Sequence, residues 1–267
     1  MSKGLSHFLA FLASVLWGIN FISMKYLSDY FPSYSLVFLR FVIAALFLWL
    51  MLWYRRKKDP TLKPLAKKDY KDTLITGFFG IALYFYFYTF GLKYLTANMA
   101  ALLCALIPIF SLLGEIVVFK KRYPPIVYAF SLLSIFGVFL VLDMKLSELV
   151  SSDAFIGILL MSGTNLSWVV YTMITGNLQK TYGSLSSLTF QSTAGCIVLG
   201  LTALSDIKSA LVILTTAPNA GLIILNLIYV GVGSSALAYL FYIEGMKHIG
   251  LQMASLYMNV IPIVAAV

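Results

Sequence analysis

The sequence predicts an all-α integral membrane protein made of two inverted five-helix repeats, with nine of the ten helices inside this chain. Three observations support this prediction: the composition, the number of long, predominantly apolar segments, and an internal duplication. Of the 267 residues, 61% are apolar and 11% are charged. A soluble protein has about 45–50% apolar and about 25% charged residues, so a soluble fold is excluded.

Nine predominantly apolar segments are long enough, or nearly so, to cross a bilayer. A helix needs about 20 predominantly apolar residues to span the hydrocarbon core. The segments are continuous rather than alternating, which favours helices over the short strands of a membrane barrel. A further stretch, 206–218, is expected to lie at the membrane interface. The predicted spans are 5–26, 33–54, 73–94, 97–119, 124–142, 154–175, 184–204, 220–244 and 252–267.

The duplication is visible without gaps between residues 77–109 and 231–263, at a constant offset of 154. Both copies carry Ala-Leu, Phe-Tyr, Gly-x-Lys, Met-Ala and Ile-Pro-Ile at matching positions. Toward the N-terminus the offset becomes 151. That offset aligns Trp17 with Trp168, Asn20 with Tyr171, Ser33 with Ser184, and Arg40 with Gln191.

Two repeats of five helices must cross the membrane in opposite directions, because five is odd. Inverted repeats place a substrate site near the midplane, at the interface between the repeats. We divide the chain into a first unit, 1–142, and a second unit, 154–267. By the offset, about 30 further residues that form a tenth helix are expected after Val267.

The basic residues set the predicted orientation. The link 54–72 contains eight lysines and arginines, and such loops stay on the cytoplasmic side. We therefore expect a multi-pass protein of the cytoplasmic membrane with its N-terminus inside. The net charge of +9 reflects this orientation, so the expected partners are the lipid bilayer and a small molecule, and not nucleic acid.

Several motifs together resemble the EamA-type transporters of the drug/metabolite transporter superfamily. They are Trp17-Gly18-x-Asn20-Phe21, Lys25, Pro32, Arg40, and Pro108 followed by Gly114-Glu115. The resemblance covers essentially the whole chain as two EamA units, the second truncated. It implies ten helices in inverted repeats and movement of small metabolites such as amino acids, often outward. The second unit departs from the pattern, since Gln191 stands where the first unit has Arg40.

Amides and aromatic residues within the spans are the candidate substrate-binding residues. An amide gains nothing from lipid, so these helix faces should point inward. The alternative is helix–helix packing through hydrogen bonds worth roughly 0.6–2 kcal/mol each. The candidates are Trp17, Asn20, Tyr84, Tyr88, Asn98, Asn165, Trp168, Tyr171, Gln252, Ser255 and Asn259. The last three form the clearest polar stripe in any span.

Two basic residues and two prolines complete the predicted site. Lys25 and Arg40 are expected to form a basic vestibule on the outer side; the alternative is that Arg40 snorkels to the outer interface. Pro108 and Pro262 are expected to kink their helices and free a backbone carbonyl near residues 104 and 258.

Carboxylates are scarce in the spans, where only Glu115 and Glu244 occur, both toward cytoplasmic ends. Drug/proton exchange through a mid-membrane carboxylate is therefore disfavoured. Cys104 and Cys196 lie within spans and suggest neither a disulfide nor a metal site. We expect that the protein binds no cofactor. We also expect that it is not an enzyme, since no nucleophile–base pair is evident within the spans. The sequence favours a metabolite exporter that works by alternating access; the alternative is a non-transporting membrane scaffold or accessory subunit.

Overall fold

The computed structural model describes residues 2–95, 97–141 and 152–265, and within them it contains helices and no β-strand. Five helices are long and apolar enough to cross a membrane by length and composition, the longest holding two spans. This confirms the predicted all-helical membrane fold. The bounds are α1 Lys3–Ser28, α2 Ser33–Lys58, α3 Lys67–Gly91, α4 in two segments Ala97–Cys104 and Ile107–Phe119, α5 Pro125–Val141, α6 and α7 within Ser152–Ala203, α8 Ala220–Ile249, and α9 Leu251–Ala265.

Two glycines let the chain reverse between neighbouring helices. Gly183 has φ 76° and separates α6 from α7, and Gly250 has φ 85° and separates α8 from α9. Residues with a β-carbon rarely adopt these angles. The predicted interfacial stretch contains the short helix Ile207–Thr216, which connects α7 to α8.

Two helices contain a wide π-helical turn at matching places. The turn is Phe78–Leu83 in α3 and Tyr229–Leu237 in α8. With the offset of 154, the residues of the first turn correspond to 232–237, all of which lie within the second turn. A π turn leaves backbone groups out of the regular ladder and often occurs at functional sites.

The first helix of each unit packs against the third helix of the other unit. A β-carbon added at Gly245 in α8 would lie 2.8 Å from the backbone oxygen of Ser6 in α1. At the position 154 residues earlier, a β-carbon added at Gly91 in α3 would lie 3.0 Å from Met161 Sδ in α6. These exchanged contacts bring the interior faces of both units to one centre.

The exterior carries large apolar side chains, as expected for a surface that faces lipid. Leu46, Val117 and Leu204 are each more than 60% exposed. Among the charged side chains of the described residues, only Arg40 and Glu115 are buried. We refer below to the end that carries the link 54–72 as the basic end, and to the other as the opposite end.

Candidate functional site

A small cavity lies at the centre, where α1, α2, α3, α4, α6, α8 and α9 meet. It has about 60 Å³ of space that the centre of a water molecule can reach. Five of the predicted substrate-binding residues line it: Trp17, Asn20, Tyr84, Tyr88 and Trp168. Its remaining wall is Phe21, Arg40, Phe85, Cys104, Ile107, Tyr239, Met258 and Ile261.

The two tryptophans that the duplication aligns touch each other at this centre. The rings of Trp17 and Trp168 are 5.5 Å apart and nearly perpendicular, the edge-to-face arrangement that aromatic pairs prefer. Tyr239 lies 5.5 Å from both rings. Trp17 Nε1 donates to the carbonyl oxygen of Ser234 in the π turn of α8, at 3.0 Å. The cavity therefore has rigid aromatic walls held from both units.

Arg40 lies in the interior rather than in an outer vestibule. Its side chain is 2% exposed. Nε donates to Ser235 Oγ at 2.7 Å and Nη2 to Ser234 Oγ at 3.1 Å, and the guanidinium carbon is 4.6 Å from the centre of the Phe85 ring. We expected Arg40 either beside Lys25 or snorkelling outward. The Arg40 side chain instead faces α8. There the hydroxyls of Ser234 and Ser235 accept the hydrogen bonds that water would accept from a snorkelling arginine.

A second, wider pocket opens at the opposite end and has about 840 Å³ of the same water-accessible space. Lys25, Lys93 and Asp29 line it, and so does Pro262. The basic part of the predicted vestibule is thus Lys25 with Lys93, without Arg40.

Phe21 and Tyr88 line both pockets and stand between them. Their ring centres are 6.2 Å apart at an interplanar angle of 74°. Tyr88 is also stacked on Tyr84, with ring centres 6.4 Å apart. The separation between the wide pocket and the central cavity is therefore a layer of aromatic rings.

Three further candidates do not line the cavity. Asn165 Nδ2 donates to the carbonyl oxygen of Leu103 at 2.7 Å, just before the interruption of α4 that precedes Pro108. Tyr171 is buried against Gly80, where an added β-carbon would lie 2.3 Å from its ring. The side chain of Asn98 lies outside the part of the chain that the structure describes.

The polar stripe of α9 is directed away from the cavity. Gln252 Nε2 donates to Ser131 Oγ of α5 at 3.2 Å, and Ser255 Oγ donates back to the Gln252 carbonyl at 2.8 Å. Asn259 is buried in the 3₁₀ turn Tyr257–Asn259. We expected these three residues to line the cavity, but Met258 and Ile261 do so instead. The Gln252 amide group thus donates to a neighbouring helix, while its Oε1 has no hydrogen-bond donor among the described residues.

The basic end is closed by polar contacts between links and helices. The Tyr182 hydroxyl donates to the Asp69 carboxylate and accepts from the backbone N–H of Ala66 at 3.1 Å. The Ser184 hydroxyl donates to Glu244. The Tyr182 contacts join the first unit's long link to α6, and the Ser184 contact joins α7 to α8 within the second unit.

The Glu115 side chain, near the basic end, also has hydrogen-bond partners. Its carboxylate accepts from Lys121 and from the Tyr123 hydroxyl. Burial and this hydrogen bond raise the pKa of Tyr123. Among the described residues, no group of three or more His, Cys, Asp or Glu side chains could hold a metal ion.

Sequence reasoning missed the cavity residues Phe85, Tyr239, Met258 and Ile261. The duplication could have indicated Phe85 and Tyr239, because the offset of 154 aligns these two residues with each other. Both follow a π turn, whose position the sequence does not reveal.

Comparison with known proteins gives consistent matches. The model of the "EamA-like transporter family" matches residues 4–143 and 155–267. An uncharacterized transporter of Bacillus subtilis, YyaM, is 26% identical over 95% of this chain and 81% of that protein. An uncharacterized transporter in the trpA 3'region of Buchnera aphidicola is 31% identical over 42% of this chain, and the match spans 35% of that protein. A solved crystal structure with 19% identity superposes with a TM-score of 0.75 over 99% of this chain and 86% of the other, which shows the same fold.

Proposed function

This chain belongs to the EamA-like transporter family and is a multi-pass membrane transporter, and from this premise we propose that it exports a small metabolite, an amino acid or a similar molecule. In this proposal the basic end lies in the cytoplasm and the wide pocket opens to the outside, in agreement with the positive-inside rule. The protein lies in the cytoplasmic membrane.

One observation carries the proposal: a central cavity is enclosed between a wide pocket at one end and a polar seal at the other. Phe21 and Tyr88 separate the cavity from the wide pocket, and Tyr182 with Asp69 closes the basic end. A carrier that works by alternating access needs one site between two closures that open in turn.

In this proposal the transport cycle rests on the two units moving against each other as inverted repeats. The matching π turns, the meeting of Trp17 with Trp168 and the exchanged glycine contacts support this symmetry. Within the site, the aromatic rings form the walls and the Asn20 amide orients the ligand.

The experiment is efflux of a radiolabelled amino-acid mixture from proteoliposomes that contain the full chain. We expect efflux above that of empty vesicles, and at least a tenfold loss in Trp168→Ala because this ring contacts Trp17, Tyr84 and Tyr239 in the cavity wall. Trp53→Ala is the matched control, since Trp53 is 54% exposed on the outside of α2. Efflux no faster than from empty vesicles, across amino acids and other small metabolites, would favour the non-transporting scaffold.

A further inference from the structure

We propose that Arg40 binds the carboxylate of the transported molecule, so that this transporter selects small carboxylates, including zwitterionic amino acids, over neutral analogues of the same shape. This inference rests on the proposed transport function and adds the chemical class of the substrate. It also assigns a binding role to a side chain in the wall of the central cavity.

The first argument is charge. A buried cation without a counter-charge is strongly disfavoured unless something compensates it. Glu115, the other buried charged group, is held by Lys121 and Tyr123. Neither ion pair among the described residues involves Arg40. Its neighbours are hydroxyls and ring faces, which solvate the charge but do not neutralise it.

The second argument is the direction in which the guanidinium is open. Its Nε and Nη2 donate to Ser235 and Ser234, while Nη1 has no acceptor among the described residues. Ser235 donates its own proton to the Val230 carbonyl at 2.7 Å, so a lone pair of its oxygen is left for Arg40. The two serines therefore fix one edge of the guanidinium and leave the other for an anion in the cavity.

The third argument is an unpaired acceptor in the same wall. Asn20 is 9% exposed, lines the cavity, and its Oδ1 has no hydrogen-bond donor among the described residues. A buried acceptor without a donor is costly. A ligand that carries an ammonium or hydroxyl beside its carboxylate would satisfy Asn20 and Arg40 together.

The fourth argument comes from the positions that the duplication aligns with Arg40 and its two serines, all of which are uncharged. The duplication places Gln191 at the position of Arg40, and Gly80 and Ile81 at those of Ser234 and Ser235. Gln191 Nε2 donates to Thr175 Oγ1 at 2.7 Å, within its own unit. The fold is thus compatible with neutral residues at these positions. The cation of the first unit and the two hydroxyls of the second unit therefore meet at one place, and the residues that the duplication aligns with them, Gln191, Gly80 and Ile81, carry no charge.

The test measures ligand binding to purified full-length protein in detergent, by thermal shift and by quenching of tryptophan fluorescence near Trp17 and Trp168. The probes are L-amino acids and short hydroxy acids, each paired with its primary amide, in which an uncharged group replaces the carboxylate. We expect the tightest-binding acid to bind at least tenfold more tightly than its amide, a difference that corresponds to about 1.4 kcal/mol.

In Arg40→Gln the acid should lose this advantage, while the affinity of the amide changes by less than about twofold. Arg55→Gln is the matched control, because Arg55 is exposed on the same helix, and it should keep the full preference. Arg40→Lys retains the charge and should keep part of the preference; it replaces Arg40→Gln as the decisive variant if the latter does not fold.

Equal affinity of acids and amides for the wild type, or an undiminished preference in Arg40→Gln, would overturn the proposal, as would absence of acid binding to the wild type. If Arg40→Gln does not fold, an acid preference in Arg40→Lys equal to that of the wild type overturns it. The result is separable from the transport function. A protein that binds acids selectively through Arg40 but gives no efflux contradicts the transport proposal alone, and efflux without acid selectivity contradicts this inference alone.

Discussion

Replacing Phe21 with alanine should open the central cavity to the wide pocket. Phe21 and Tyr88 form the layer between the two spaces, with ring centres 6.2 Å apart. An aromatic pair of this geometry is worth about 0.5–1.5 kcal/mol beyond its buried area. Losing it should raise the population of the open state by about 2- to 12-fold, since 1.4 kcal/mol corresponds to a factor of ten.

Cys104 provides the assay because it is a thiol in the cavity wall. The chain has two cysteines, and in a Cys196→Ser background Cys104 is the sole thiol. The measurement is the rate at which a small charged thiosulfonate modifies purified protein. Cys104 is buried in the wall of the central cavity, which Phe21 and Tyr88 separate from the wide pocket, so modification from that pocket requires the aromatic layer to open.

Phe8→Ala serves as the control, because Phe8 lies on the same helix and is 56% exposed on the exterior. Its modification rate should equal that of the unsubstituted background. If Phe21→Ala leaves the rate of Cys104 modification unchanged, or if Phe8→Ala raises it equally, the rings do not form the barrier.

Two further predictions concern packing and the basic end. Gly245→Ala should lower the melting temperature by several degrees, because its β-carbon meets rigid backbone and overpacking costs about 1–3 kcal/mol; Gly91→Ala, which meets a flexible methionine, should change it little. Scanning fluorimetry of both variants checks this, and an equal loss would contradict it. Tyr182→Phe removes two hydrogen bonds to the link 59–69, one to the Asp69 carboxylate and one from the backbone N–H of Ala66. Each is worth about 0.5–1.5 kcal/mol. Amide hydrogen exchange in that link should rise about tenfold, and unchanged exchange would show that the contact does not hold the link.

The helical membrane fold could be predicted because the membrane limits the solutions. Only segments that satisfy their own backbone can cross lipid, and their length follows from the bilayer thickness. The duplication then identified equivalent residues before any contact was known. Two residues that it aligned, Trp17 and Trp168, are in contact in the structure.

The position of Arg40 could not be predicted in the same way. The position of Arg40 in the sequence predicts that it lies about 10 Å from the end of α2. It does not predict which neighbouring helix the Arg40 side chain faces. That direction depends on the π turn of α8, which brings Ser234 and Ser235 toward the centre. No residue pattern in α8 reveals a π turn.

The polar stripe of α9 shows a second limit. A buried amide needs a partner, but a hydroxyl on a neighbouring helix satisfies that need as well as a ligand does. Gln252 Nε2 donates a hydrogen bond to Ser131 on α5. Spacing alone therefore detects that a face is buried, and cannot distinguish a packed face from a cavity wall.

The two closures differ in chemistry, and this bears on the proposed cycle. The basic end is held by three hydrogen bonds, from Tyr182 to Asp69, from Ala66 to Tyr182 and from Ser184 to Glu244. At about 0.5–1.5 kcal/mol each, they outweigh the Phe21–Tyr88 pair by roughly 1–3 kcal/mol. The form opening toward the basic end would then be a minor state of about 1–15%. A ligand that binds this minor state only tenfold to a hundredfold better would equalise the two forms.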